Sequence, residues 1–197
     1  MKRKWIRFIS CAVLLSCVFS MTGCLPQETE TSEIVLGEWK ENVFTNEWSG
    51  IQFTLPEDFT SQSLGDLPTY KDQKFDLLLL HSDETTNISL LYVDLLYAGK
   101  PDMTASAYLE TVRTQLKTSE TKDFVFEETF EKTIIADEEF VSMRSEFSFK
   151  DPENNTKGYQ DGYARKAGGV IIVFIASYSE ETKQSVDGFF QSIVSPS

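Results

Sequence analysis

Residues 170–178 read VIIVFIASY, nine positions without a charge and with apolar side chains at odd and even places alike. Successive side chains of a strand point to opposite faces. A strand of this composition must be covered on both sides, which places it inside a sheet. FDLLLLHSD (75–83) and NISLLYVDLLY (87–97), joined by ETT, share that near-continuous apolar character and read as two further central strands, with a helix over 76–80 as the competing reading.

Shorter segments supply the remainder. VFTNEW (43–48) and IQFTLP (51–56) alternate around Ser49-Gly50 as a hairpin, and Pro56 ends the second run. Residues 57–73 are rich in turn formers and read as a loop with one helical turn at most. In 100–119, Ala105, Tyr108, Leu109, Val112 and Leu116 recur at helical spacing; Thr104 or Asp102 can cap the start, and Arg113 and Lys117 suit the end. Strand alternation resumes at 123–130, 132–136 and 139–150. KGYQDGYARKA (157–167) joins the apolar 170–178 run through Gly168-Gly169 as a last hairpin. Residues 179–194 form a closing helix, capped by Ser179, with Glu180 and Glu181 in its first turn and Val186, Phe189, Phe190 and Ile193 as its buried stripe. The order of strands, helix, several strands and helix predicts an α+β domain, a large antiparallel sheet with packed helices. No repeat or second boundary interrupts it, so 37–194 reads as one domain.

The amino terminus reads as a separate functional unit. MKRKWIRF is basic, ISCAVLLSCVF is apolar over the length a secretory signal requires, and the run through Leu25 is interrupted by Ser10, Ser16, Ser20 and Thr22, which makes it a poor span. Met21-Thr22-Gly23-Cys24 resembles a bacterial lipobox, with Met and Thr in place of the usual Leu and Ala or Ser. That resemblance implies that 1–23 are a signal peptide and that the Cys24 thiol receives diacylglycerol, whose two acyl chains anchor the chain firmly at a membrane. Residues 24–36 are then the lipidated cysteine and a polar spacer, LPQETETSE and onward. Cys11 and Cys17 leave with the signal and Cys24 carries lipid, so no disulfide, thiolate metal site or cysteine nucleophile is expected in the folded body. An uncleaved anchor or an ordinary secretory signal are the alternatives.

The whole chain carries 18 basic and 31 acidic residues, a net charge of −13. Lys2, Arg3, Lys4 and Arg7 all precede Cys24, and no acid does, so the chain from Cys24 onward has 14 basic residues against 31 acidic, a net of −17. Such a domain is repelled by phosphate backbones, and nucleic acid is not an expected partner.

GEWKENVFTNEWSGIQFTLPEDF (37–59) resembles the start of a group of bacterial lipoproteins, in which Gly-x-Trp precedes an aromatic hairpin and a strand ending in Leu-Pro. GYQDGYARKAGGVIIVFIASYSEE (158–181) and FFQSI (189–193) are similar to their final hairpin and helix. The layout is similar to the PsbP-like fold, shared with the nuclear Mog protein, in which an antiparallel sheet lies between helices. The resemblance implies an α/β/α sandwich and a non-enzymatic binding or assembly role. It carries over no binding residue.

Chemistry is sparse. His81 is the single histidine and has Ser82 and Asp83 beside it, but neighbours on a strand end alternate in direction and do not build a triad, so His81 reads as a solvated strand-end residue. Zinc would find one histidine and no free thiol. Asp151, Glu153 and Asn155 alternate as in an EF-hand loop, yet Thr156 and Gly162 occupy the places of the required glycine and glutamate. An irregular calcium site on Asp151 and Glu153, or on Asp137, Glu138 and Glu139, stays open. Trp39, Phe44, Trp48, Phe53, Phe59, Tyr70 and Tyr92 read as core, with a sugar or peptide groove as the alternative. No phosphate loop, dinucleotide fingerprint or metalloprotease helix is present, and no cofactor is expected. The expected role is non-covalent binding of a partner protein at the membrane; the alternative is a module that binds a small solute or calcium, and a carboxylate-based hydrolase stands behind both.

Overall fold

The computed structural model describes residues 34–66, 70–119, 122–127, 129–149 and 157–196. Cys24, its leader, the spacer as far as Glu33, and Asp151, Glu153 and Asn155 lie outside them; residues 34–36, expected as the end of the spacer, are described and attach to the body through buried Ile34 and the Val35 carbonyl. Among the described residues, twelve strands and two α-helices build the domain. β1 (Glu38–Lys40), β2 (Val43–Asn46) and β3 (Ile51–Thr54) form a small antiparallel sheet. The large sheet holds β4 (Phe59–Ser61), β5 (Gln73–His81), β6 (Asn87–Asp94), β7 (Lys122–Phe126), β8 (Glu131–Ile135), β9 (Glu138–Met143), β10 (Ser145–Phe149), β11 (Lys157–Ala167) and β12 (Val170–Tyr178). Its order is β4-β5-β6-β12-β11-β10-β7, and every pairing is antiparallel.

β12 lies where its composition requires, between β6 and β11, with Ile172 opposite Tyr92 and Arg165. Its Ile171, Val173 and Ile175 face α1 (Ala105–Lys117), together with Leu91 and Val93 of β6. Its Ile172, Phe174 and Ala176 face the opposite layer, where Phe44, Ile51 and Phe53 of the small sheet pack beside Val186 and Phe189 of α2 (Lys183–Ser192). The fold is therefore α+β, as its pattern predicts, but one outer layer is mixed: three short strands share it with α2.

Four local expectations are corrected by tertiary context. The 57–73 segment contains a strand, β4, held by pairing of Phe59 with His81 and Ser61 with Leu79. The second central strand ends at Asp94, because Asp94 Oδ1 accepts from the backbone N–H groups of Leu96 and Tyr97, each at 2.9 Å, and turns the chain. The 139–150 run is two strands: β9 pairs with β11 near Ala164, β10 pairs with it near Gly158, and Arg144 lies between them where the sheet forks. α2 begins at Lys183 and not after Ser179. Thr182 Oγ1 accepts from Ser179 N–H (3.2 Å) and meets Thr86 Oγ1 (2.6 Å), so it joins α2 to the β5–β6 turn and forms no side-chain cap. In the stripe of α2, Val186, Phe189 and Ile193 are buried, while Phe190 is half-buried.

α1 follows the expected rule. Thr104 Oγ1 accepts from Ala107 N–H at 3.1 Å. Thr104→Ala is expected to cost about 0.5–2 kcal/mol in urea unfolding, with an unchanged m-value; no change in midpoint would show that packing alone holds that end of α1.

Candidate functional site

Three polar or aromatic constellations stand out from the hydrophobic layers. The first is a buried network where the small sheet meets the large one. The register of β5 shifts between Phe75 and Leu77, a bulge that turns Asp76 toward the same layer as Leu77. There Asp76 Oδ1 accepts from Gly37 N–H (2.7 Å), and Oδ2 accepts from Asn46 Nδ2 (2.7 Å) and Tyr92 Oη (2.5 Å). Asn46 Nδ2 also lies 2.9 Å from Tyr92 Oη and 3.0 Å from the Val35 carbonyl, while Asn46 Oδ1 accepts from Ser49 N–H (2.9 Å). Arg165 Nη2 donates to the Ser49 carbonyl at 2.8 Å, and its Nη1 lies 3.4 Å from Glu138. Burial raises the Asp76 carboxyl above its ordinary range, against the smaller opposing pull of the bonds from Tyr92, Gly37 and Asn46. Burial and the neighbouring Asp76 carboxylate raise Tyr92.

The second is around His81. Its ring is not solvated: the side chain is only 12 % exposed, between Asp58 (Nε2 to Oδ2, 3.2 Å) and Asp83. Asp83 N–H donates to Nδ1 at 3.1 Å, and Nε2 faces Asp58. Asp83 is itself the acceptor for the backbone and hydroxyl groups of Thr85 and Thr86. Burial opposes its ionisation, but those bonds outweigh it and hold the carboxyl at about 2. Ser82 is exposed. The cluster ties the β5–β6 turn to β4.

The third lies at the outer rim of the fork, and sequence reasoning read it only as strand alternation. β7 pairs with β10 so that Phe147 is opposite Phe124 and Phe149 opposite Lys122. The repeated Phe-x-Phe of 124–126 and 147–149 places four rings on one face. Phe124 stacks beside Phe126 (5.9 Å between centroids) and tilts on Phe147 (5.8 Å), which meets Phe149 edge-on (5.7 Å). Lys122 Nζ sits 3.9 Å from the Phe147 centroid and 4.9 Å from that of Phe149. Lys117 reaches Phe126, and Arg113 covers Phe130. The four Phe rings of the two strands are half-buried, and on the other face of β7 Val125 is 71 % exposed. Gly158 belongs to this ledge: a Cβ there would come within 2.7 Å of the Phe147 ring and 2.8 Å of the Tyr178 carbonyl, so the residue allows Phe147 to lie across β11. Among the described residues β7 pairs with β10 alone.

The other predicted site residues are dispersed. Asp137 accepts from Ser195, Glu138 faces Arg165 and Glu139 pairs with Lys132, three carboxylates directed at three partners. Among the described residues no group of three or more His, Cys, Asp or Glu side chains is placed to hold a metal ion. Phe44, Phe53, Phe59 and Tyr92 are core; Trp39 and Trp48 pack half-buried against that core, and Tyr70 against the α1 side. Also among the described residues, no helix is long and apolar enough to cross a membrane.

No protein-family model matches the sequence, and no curated protein matches it. Among solved structures, the chain is similar to cyanobacterial PsbP (CyanoP) from Synechocystis sp. PCC 6803, at 15 % identity and a TM-score of 0.46 over 78 % of this chain and 91 % of that one. It is also similar to LpqN, involved in cell envelope biogenesis of Mycobacterium tuberculosis, at 12 % identity and a TM-score of 0.42 over 70 % of this chain and 91 % of that one.

Proposed function

We propose that this chain is a membrane-anchored extracytoplasmic lipoprotein, tethered through Cys24, with a non-enzymatic binding or assembly role towards a partner protein. The observation that carries the binding role is the aromatic ledge of Phe124, Phe126, Phe147 and Phe149 with Lys122 across it, on strands at the rim of the large sheet. Aromatic rings are among the side chains that interfaces concentrate. Lys122 is itself only 7 % exposed, so on a body with a net charge of −17 after the leader it is the half-buried rings and the exposed Lys117 beside Phe126 that select a partner surface with apolar side chains and carboxylates.

The test is site-specific photo-crosslinking in the producing cell, with the reactive residue at Lys117, which reaches the Phe126 ring, or at Phe149 at the other end of the row. A discrete adduct is expected from both positions, and Phe147→Ala is expected to weaken it about tenfold or more, the loss of a hot-spot ring. Val125→Glu, on the other face of β7, is the control: at an exposed position it leaves stability within about 0.5 kcal/mol, and the adduct is expected to persist. Adducts that are absent from both ledge positions, or indifferent to Phe147→Ala, would remove the ledge as the binding surface.

A further inference from the structure

The buried network bears on how the body hangs from its tether. Residues 34–37 are not free spacer. Ile34 is buried in the core, the Val35 carbonyl accepts from Asn46, and Gly37 N–H is fixed on Asp76. No other residue fits at Gly37, where a Cβ would lie 2.4 Å from the Phe44 ring and 2.9 Å from the Thr45 carbonyl. Asn46 belongs to β2 and Asp76 to β5, so the strap is bonded to one strand of each sheet, and Tyr92 of β6 is bonded to both of those side chains.

We propose that the Asn46–Asp76–Tyr92 network is a clamp that forms the hard end of the membrane tether, limiting its length and holding the Asp76 corner of the domain nearest the bilayer. This rests on the lipid-anchored reading of Cys24. From Cys24 to Ile34 there are ten residues, a reach of at most about 33–36 Å. Were the strap and β1 to detach, the chain as far as β2 at Val43 would join the spacer and nearly double that reach, adding roughly 30 Å.

The attachment corner also sets what faces outward. Asp76 and Tyr92 lie on β5 and β6, at the level of Arg165 on β11; Phe147 lies opposite Gly158, seven residues further along β11. Five strand steps separate β5 from β7. At ~4.8 Å per step and ~3.3 Å per residue, the ledge is roughly 30 Å from the clamp on the diagonal of the sheet. A short tether fixed at one corner leaves the opposite corner as the part held furthest from the membrane.

Two readouts on the lipidated full chain test this. By hydrogen exchange, the Gly37 amide is expected to be protected at least a hundredfold, and Asp76→Ala is expected to abolish that protection while the β12 amides stay protected. If Asp76→Ala does not fold, Asn46→Ala, which removes the bond to Val35, is read in the same way. On vesicles carrying a headgroup quencher, a label on Leu36→Cys is expected to be quenched several-fold more than one on Val125→Cys, and the clamp variants are expected to shrink that difference. Equal quenching of the two labels in the native background, or an unprotected Gly37 amide, would overturn the clamp. A full chain that never acquires lipid at Cys24 would overturn the anchor and the tether stop with it; a protected Gly37 in that same sample would locate the failure in the anchor and not in the network.

Discussion

Phe189→Ala is expected to lower the stability of the domain by about 3–5 kcal/mol, the range for deleting a fully buried aromatic ring. Phe189 is 1 % exposed and touches four other rings: Phe53 at 4.9 Å, Phe190 at 5.2 Å, Phe59 at 6.3 Å and Phe174 at 6.5 Å between centroids. These rings come from β3, α2, β4 and β12, so a single side chain joins the small sheet, the closing helix and the large sheet. The cavity cannot collapse without moving one of those elements, and this puts the expected loss at the high end. Urea unfolding would show it as a fall in midpoint at constant m-value. A loss below about 1.5 kcal/mol would mean that α2 closes over the gap and contributes little to the layer. Phe190→Ala serves as the contrast, since its half-buried ring lies further toward solvent and should cost less.

The second large effect is with pH. Among the described residues three carboxyls are raised by burial: Asp76, Asp161 and Asp72. Asp161 accepts from Tyr178 (2.9 Å) and Tyr163 (3.2 Å) and has Arg144 at 3.7 Å, yet desolvation outweighs these bonds. Asp72 is raised further by Asp94 nearby. A group whose folded-state value lies above its unfolded one binds its proton more tightly when folded. Its contribution is fully present below the unfolded value of 3.8 and is lost as pH rises through the raised folded value. Asp83 runs the other way, contributing above 3.8 and losing that contribution as pH falls toward about 2. The unfolding midpoint is therefore expected to rise as pH falls from neutral to near 4, then to drop toward pH 2. General repulsion in an acidic protein has the same sign on the neutral side, but salt screens it, whereas buried groups are screened much less. Repeating the series at high salt separates the two. A midpoint that is flat or falling between pH 7 and 4 at high salt would refute the buried-carboxylate account.

How far the sequence reaches is clearest in particular segments. The apolar run of β12 announces its own central place, because an uncharged strand that is apolar on both faces has only one stable environment. The period of α1, its Thr104 cap and both glycine-marked hairpins are legible for the same reason: each is decided by neighbours within a few residues. β4 is not legible. Phe59, Thr60 and Ser61 lack a strong strand pattern, and they are extended because β5 offers an open edge. The fork at Arg144 is likewise invisible, since it arises from one long strand, β11, serving two partners in turn.

The candidate surfaces divide along the same line. The lipobox-like Cys24 and the acidic charge are local or additive properties, and the sequence by itself determines them. Asp76, Asn46 and Tyr92 carry no shared spacing; a β-bulge and the seating of one sheet on another bring them together. The two Phe-x-Phe pairs are visible in the chain, but only the β7–β10 register turns them into one row with Lys122 across it. Composition and periodicity report what each segment needs from its surroundings. Which segments meet that need is decided by long-range pairing, and that is where the clamp and the ledge of this protein originate.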